Sequence, residues 1–207
     1  MAGTGAGTVE TTAFGPLRIS FDHRVLRPRA WTAAQSEWAA EVMRAAPPGR
    51  VLELCAGAGH IGLLAVSGSD RSLVCVDVDP VACGFARQNA TDAGLADRVE
   101  VRQGPVDEVL GDDERFPVVI ADPPWVRRAD VDRYPEDPLR AIDGGDDGLA
   151  VARTCLAVAR RHLLPGGSVL LQLGTVEQVD LLDTVDAGEV VEVRRYDRGV
   201  VVRLDLA

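Results

Sequence analysis

The 207-residue sequence is poor in the residues that build metal or disulfide frameworks. Its four cysteines, Cys55, Cys75, Cys83 and Cys155, include no CxxC pair, and none stands at ligand spacing from a histidine. His23, His60 and His162 do not cluster either. Four reduced thiols and no metal are therefore expected. No apolar run approaches the roughly 18 residues of a membrane span, and residues 1–10 lack a basic segment followed by an apolar stretch. A cytoplasmic protein with no membrane partner is the expectation. Positive charge is also in short supply, with 22 Lys and Arg against 32 Asp and Glu and a net charge of −10. Such a surface repels phosphate backbones, which makes nucleic acid the less expected partner. A protein or small-molecule substrate, or a basic partner subunit, is favoured. Oligomeric state is not legible.

A hydrophobic content of 46% and a charged content of 26% are those of an ordinary globular chain. The length suits one domain. Residues 1–12, mostly Gly, Thr and Ala, are expected to be a disordered tail. Residues 13–48 form a short lead. In it, Leu17–Phe21 and Arg24–Leu26 read as a strand pair around Asp22 and His23, and Thr32 reads as the cap of a helix running to about Ala46. Pro47-Pro48-Gly49 ends that helix.

Residues 49–207 form the main domain. Strands are expected at 51–54, 72–76, 99–102, 118–121 and 168–173, and helices from about 60, over 80–93, over 148–163 and over 176–185. A closing hairpin pairs 189–194 with 200–206 around Tyr196-Asp197-Arg198-Gly199. This alternation predicts an α/β fold: a Rossmann-like, seven-stranded mixed sheet with helices on both faces and a C-terminal antiparallel hairpin at one edge.

Gly57-Ala58-Gly59-His60-Ile61-Gly62 is a GxGxxG turn after the first strand of this domain, and Asp77 ends the next strand, 20 residues after Gly57. Glycines let backbone approach a ligand closely, and the acidic residue suits a ribose. Taken alone, the pattern also fits a dinucleotide site. Glu53, four residues before Gly57, tips the balance, because a carboxylate there suits the ammonium of a methionine moiety, which NAD lacks. The cofactor expected is S-adenosyl-L-methionine, held by Glu53, Cys55, Ala56, Gly57, Gly59, Asp77 and Asp122. Asp79, just before Pro80, reads better as a helix cap than as a ribose ligand.

Asp122-Pro123-Pro124-Trp125 follows the fourth strand of the main domain, at the end where open α/β sheets bind ligands. Two prolines stiffen the loop and remove two N–H donors. Its carbonyls and Asp122 can converge on an NH2 group, and Trp125 offers a flat face to a planar substrate and to developing positive charge. These four residues are the candidate catalytic set. The bland alternative is a rigid turn with Trp125 in the core. His60 reads as a helix-start residue, and Trp31 and Trp38 as packing. Residues 126–140 read equally as a substrate lid or a solvated charged loop, and Gly144–Gly148 as an active-site wall or a plain turn with Asp147 capping the following helix.

Residues 24–174 resemble the protein-glutamine N5-methyltransferases that modify peptide release factors. The likeness rests on Pro28-Arg29 with Thr32, on Glu53-Leu54-Cys55-Ala56-Gly57-Ala58-Gly59, on Asp122-Pro123-Pro124-Trp125 where that family has NPPY, and on Ala141–Leu149, similar to its AL-GG-DGL run. The resemblance implies a class I methyltransferase fold and transfer to a planar nitrogen, a glutamine amide in a protein such as a release factor. The departures are Asp122 for Asn, Trp125 for Tyr, Cys55 for the usual first glycine, and Pro105 where many relatives carry an acidic residue near the adenine, with Asp107 a weak substitute. DPPW is more typical of enzymes that methylate exocyclic amines. Three other readings stay open: methylation of a nucleic-acid amine, which a basic surface near 126–140 would favour; methylation of a small molecule, which a closed lid over a small apolar pocket would favour; and a catalytically silent cofactor-binding subunit, against which the intact DPPW argues.

Overall fold

The computed structural model describes residues 7–182 and 188–205. Strands β1 (Glu10–Phe14) and β2 (Leu17–Phe21) form an antiparallel hairpin. Gly15, at φ +58°, makes the tight turn between them. This corrects two expectations. The partner of 17–21 precedes it in the chain, and residues 10–12 belong to a strand and not to a disordered tail. Arg24–Leu26 is no strand because Asp22, fully buried, accepts the Arg24 N–H at 2.9 Å and pairs with its guanidinium, which folds the chain into a turn.

Helix α1 (Ala33–Met43) follows a 3-10 turn at Ala30–Thr32. Thr32 does not cap it. Its backbone is already helical, and its hydroxyl donates to the Arg29 carbonyl at 2.8 Å. The helix stops at Met43, short of Ala46, and buries Trp38, Ala39, Val42 and Met43.

The main sheet contains β3 (Val51–Leu54), β4 (Leu73–Asp77), β5 (Val99–Gln103), β6 (Phe116–Ala121), β7 (Leu163–Leu173), β8 (Glu189–Tyr196) and β9 (Gly199–Asp205), in the order β5-β4-β3-β6-β7-β9-β8. β3 to β7 run parallel, and β9 inserts antiparallel between β7 and β8. The hairpin strands are β8 and β9, as expected; residue 206 lies outside the described residues. Helices α2 (His60–Ser67), α3 (Pro80–Asp92), α4 (Leu139–Ile142), α5 (Ala150–His162) and α6 (Val176–Asp180) complete the fold. Residues 183–185 of the last expected helix lie outside the described residues.

Both faces of the sheet are covered, so its parallel strands read as continuous apolar runs. Val51, Cys75, Val118 and Ile120 pack with α1, α2 and α3, while Leu52, Leu54, Val74 and Val119 pack with α5. Each fully buried Leu or Val contributes roughly 2 kcal/mol of apolar burial. Strand order reverses between β3 and β6, and open α/β sheets bind ligands beyond the carboxyl ends of strands at such a switch point. Among the described residues, no helix is long and apolar enough to cross a membrane.

Candidate active site

Beyond Leu54 the chain turns sharply. Cys55 holds φ +58°, the one non-glycine among the described residues in the left-handed region, followed by Gly57 at +54° and Gly59 at +78°. The backbone at 55 thus keeps a glycine-like conformation with a cysteine in it, at about 1–3 kcal/mol of strain. A Cβ on Gly57 would meet nothing within 4 Å, whereas one on Gly59 would press on Ala86 at 3.2 Å. Gly57 therefore opens toward a ligand, and Gly59 fits the turn against α3.

A cavity of about 350 Å³ lies there, lined by Cys55, Ala56, Gly57, Asp77, Pro105 and Asp122 among others. Val106 and Asp107 are on its wall too. Asp77 Oδ2 accepts the Gly57 N–H at 2.7 Å and Oδ1 accepts the Asp79 N–H at 2.9 Å, so the ribose candidate also braces the glycine turn. Burial raises its carboxyl pKa. Asp79 caps α3, accepting from Val81 N–H at 2.7 Å. Asn89 was not singled out from sequence. Its amide donates to the carbonyls of Ala58 and Ser20, tying the glycine turn and β2 to α3.

Glu53 is placed differently from expectation. It is 2% exposed and does not line the cavity. Its Oε1 accepts the Gly62 N–H at 2.8 Å, and its Oε2 accepts from the Cys75 thiol at 3.2 Å. The cause is strand alternation: Leu52 and Leu54 face α5, so Glu53 faces α2. Gly62, the last glycine of the motif, makes room, because a Cβ there would collide with the Glu53 carboxyl. Burial pushes the Glu53 pKa up to about 7. Glu53 is a support beneath the turn, with both oxygens bonded to donors of the protein and none of it on the cavity wall.

A second cavity, of about 550 Å³, is lined by Pro123, Trp125, Trp31, Tyr134, Tyr196 and Arg29 among others. Trp31, expected as packing, is on its wall, while Trp38 is buried beneath the Arg194 guanidinium, 4.0 Å from its ring centre. Leu26, His60, Asp122 and Ala141 line both cavities. Asp122 thus stands at their junction, with burial pushing its pKa up to about 7. Pro124 lines the first cavity only, and Pro123 and Trp125 the second only.

The DPPW loop is rigidly seated. The Gln178 amide donates to the Trp125 carbonyl at 2.8 Å, and the Trp125 ring lies over Gly174, where a Cβ would collide with it. Val126 pairs with the 142–144 segment through two backbone hydrogen bonds of 2.9 and 2.8 Å. A Cβ on Gly144 would strike the Pro124 carbonyl, and one on Gly148, at φ +77°, the Trp125 carbonyl. The GGDDG run is therefore the wall against which DPPW packs. Asp147 accepts the Leu149 N–H and pairs with Arg153 without capping α5, which starts only at Ala150 because Gly148 is left-handed.

The 126–140 loop covers parts of both cavities through Tyr134, Asp137 and Arg140. Asp137 pairs with Arg29 at 2.6 Å. Arg127 and Arg133 pair with Asp130, and Arg128 with Asp143 and Asp146, so of the loop's four arginines only Arg140 has no ion pair among the described residues. All four cysteines are free, and Cys55 Sγ lies 3.8 Å from Cys155 Sγ.

Residues 34–135 match the family described as methyltransferase small domain. A release factor glutamine methyltransferase from Clostridium acetobutylicum is 29% identical over 175 residues, 81% of this chain and 61% of that one. A ribosomal protein uL3 glutamine methyltransferase from Bradyrhizobium diazoefficiens is 35% identical over 130 residues, 60% of this chain and 40% of the other. The chain spans about three fifths or less of the length of these two relatives. Among solved structures, an RNA methyltransferase from Salinibacter ruber in complex with S-adenosyl-L-homocysteine superposes with a TM-score of 0.58 at 21% identity, over 87% of this chain and 92% of that one. The expected Rossmann-like methyltransferase fold and the likeness to protein-glutamine methyltransferases are borne out.

Proposed function

We propose that this chain of methyltransferase fold transfers the methyl group of S-adenosylmethionine to the amide nitrogen of a glutamine side chain in a protein. The observation that carries the reading is the position of Asp122, which lines both the cavity of Gly57 and Asp77 and the cavity of Trp125. A loop built to hold an NH2 group thereby meets a cavity whose donor set fits the cofactor. Gly57 leaves open space, Asp77 supplies carboxylate oxygens for ribose hydroxyls, and Pro105, Val106 and Asp107 form a wall for the adenine.

When bound, the cofactor supplies a methyl group already activated on a positively charged sulfur. The protein's task is then alignment, and correct positioning alone removes several kcal/mol of barrier. An amide nitrogen is a poor nucleophile because its lone pair is delocalised. Acceptors at Asp122 and the Pro123 carbonyl hold its hydrogens and bias it toward the reactive geometry. Trp125 lies along the planar group and faces the charge that develops on nitrogen. The S–CH3 bond breaks as the N–CH3 bond forms, and the nitrogen's surplus proton leaves to solvent through the acceptor cavity; among the candidate residues, none is assigned as a dedicated base.

A nucleic-acid amine is the second reading, favoured by Asp122 standing where the glutamine enzymes carry Asn. The pairing of Arg127, Arg128 and Arg133 with aspartates weighs against it, since phosphate binding wants unpaired cations. A release factor is the partner proposed, with action in the cytoplasm. The test offers labelled S-adenosylmethionine with a GGQ-containing release-factor domain and, separately, with an adenine-containing oligonucleotide. Label on the protein is expected. Label on the oligonucleotide alone overturns the proposal.

A further inference from the structure

The mechanism above uses neither the Cys55 thiol nor the Cys155 thiol. The two residues are 100 positions apart in the chain, and the fold brings their sulfurs into contact at 3.8 Å. Cys55 is the first residue after β3 and stands on the wall of the cavity of Gly57 and Asp77. Cys155, on α5, is buried with Leu52, Leu54 and Leu156 and is not on that wall. Val151 and Thr154 of the same helix are on it, so Cys155 lies one layer behind. The other two thiols are engaged elsewhere. Cys75 donates to the Glu53 carboxyl, and Cys83 to the Asp77 carbonyl at 3.4 Å.

The backbone at Cys55 is coupled to the shape of the cavity. It holds φ +58°, which a glycine adopts freely and a residue with a Cβ adopts under strain. Two residues on is Gly57, which faces open space and whose N–H is bonded to Asp77. A disulfide bond is about 2.05 Å long, so joining the two sulfurs requires them to approach by about 1.7 Å. Cys155 is held in the middle of a 13-residue helix packed into the core. Cys55, on a strained turn, is the partner that moves. Its movement shifts Ala56 and Gly57, the backbone that leaves the ligand its space.

We propose that Cys55 and Cys155 are an oxidation site in the wall of the cofactor cavity, which a peroxide converts into a disulfide, and that this disulfide and bound S-adenosylmethionine oppose one another. The Cys55 thiolate attacks one peroxide oxygen. An S–O bond forms, the O–O bond breaks, and the released oxygen takes up the proton the thiol gave and leaves as water. The Cys155 thiol then attacks the Cys55 sulfur. The S–S bond forms, the S–O bond breaks and a second water leaves. The two thiols lose two electrons and two protons, and the peroxide becomes two waters. Contact with Cys155 and burial hold the Cys55 thiol pKa well above its usual range, so thiolate is scarce and the pair stays reduced without such an oxidant. The coupling to the cofactor rests on the cofactor reading given above.

The test treats the reduced full chain with hydrogen peroxide, with and without saturating S-adenosylhomocysteine. Peptide mapping then locates the links, and calorimetry measures the affinity of the reduced, oxidised and dithiothreitol-recovered forms. A peptide joining Cys55 to Cys155 is expected. The oxidised form should bind S-adenosylhomocysteine about tenfold more weakly, within the usual range of coupling between two events on one protein. Dithiothreitol should restore the affinity, and bound ligand should slow the linking. Cys155→Ala leaves the cavity wall untouched, so it should bind like the reduced wild type, which also certifies its fold, and peroxide should no longer weaken it. Oxidation without a 55–155 link overturns the proposal. So does a mapped link with unchanged affinity, a linking rate that the ligand does not slow, or an equal loss of affinity in oxidised Cys155→Ala. If the reduced wild type binds no S-adenosylhomocysteine, the cofactor reading falls and the coupling with it, while the peptide map still decides the disulfide.

Discussion

Glu53 Oε1 accepts the backbone N–H of Gly62 at 2.8 Å, so the carboxylate at the head of the glycine motif is bound to the motif's own last glycine. The bond joins the end of β3 to the first turn of α2 and holds the turn between them.

The first prediction follows from the state of that carboxyl. Glu53 has a folded pKa raised from 4.5 to about 7 by burial. A raised acid binds its proton more tightly in the native state. Its stabilising contribution is full below the unfolded pKa and is lost as pH rises through about 7. At about 1.4 kcal/mol per pKa unit, this is on the order of 3 kcal/mol. The ligand-free protein should melt at lower temperature at pH 8 than at pH 5. Glu53→Gln, which stays neutral, should reduce that slope and leave the part that Asp122 and Asp77, also raised by burial, contribute. A slope unchanged in the Gln variant means that Glu53 is not the group responsible.

At the cofactor cavity, Gly57→Val is expected to abolish binding of S-adenosylhomocysteine, because the added side chain occupies the open space and φ +54° strains it. Asp77→Ala should weaken binding by roughly 1–3 kcal/mol, through lost ribose bonds and a turn no longer braced at the Gly57 N–H. Titration calorimetry on folded variants decides this. Unchanged affinity in both puts the cofactor elsewhere.

Much of this arrangement was legible in the residues and some of it could not be. Apolar runs separated by helical stretches announced the α/β sheet, and the spacing from Gly57 to Asp77 announced their meeting, because both signals are local in sequence. The misplaced strand partner was not local in that sense. Glu10–Phe14 lies in a Gly-, Thr- and Ala-rich stretch with no clear alternation, and only pairing with β2 makes it a strand. The direction of Glu53 depended on which helix covers which face of β3, which composition does not tell. Gly144 and Gly148 read equally as turn or active-site wall, and what decides for the wall is the DPPW backbone pressed against them, a contact the sequence does not display. His60 and Leu26 join the site only because two cavities, lined by residues far apart in the chain, meet beside them.

The wall behind DPPW gives the third prediction. Gly148→Ala forces a Cβ into the Trp125 carbonyl at a left-handed backbone position. The loop must shift, and turnover should fall at least tenfold, since displacements of about 1 Å at a reacting geometry have effects of that size or larger. Trp125→Ala should do likewise by removing the face that covers the acceptor. Affinity for S-adenosylhomocysteine should change little in either variant, because Trp125 lines the acceptor cavity alone. If affinity falls as far as turnover, Trp125 belongs to the cofactor wall.

Asp122 decides between the two substrate readings, and pH makes the decision sharp. Burial pushes its pKa up to about 7. Below that value the neutral carboxyl has one O–H donor and one free acceptor, the same pair that an Asn side chain offers. Above it the carboxylate only accepts. A glutamine carboxamide presents a carbonyl that needs a donor beside an NH2 that needs an acceptor, so the neutral form serves it best. For a protein substrate, single-turnover transfer should therefore decline as pH rises through about 7. Asp122→Asn should keep most activity and lose the decline. An adenine-type amine has no adjacent carbonyl to satisfy and is served by the carboxylate. Transfer to it should rise through about 7, and Asn should reduce it about tenfold or more by removing a charge-assisted bond. Glu53 titrates in the same range, so both profiles belong in the Glu53→Gln background. A rising profile with the oligonucleotide, abolished by Asn, would reverse the preference for a protein amide.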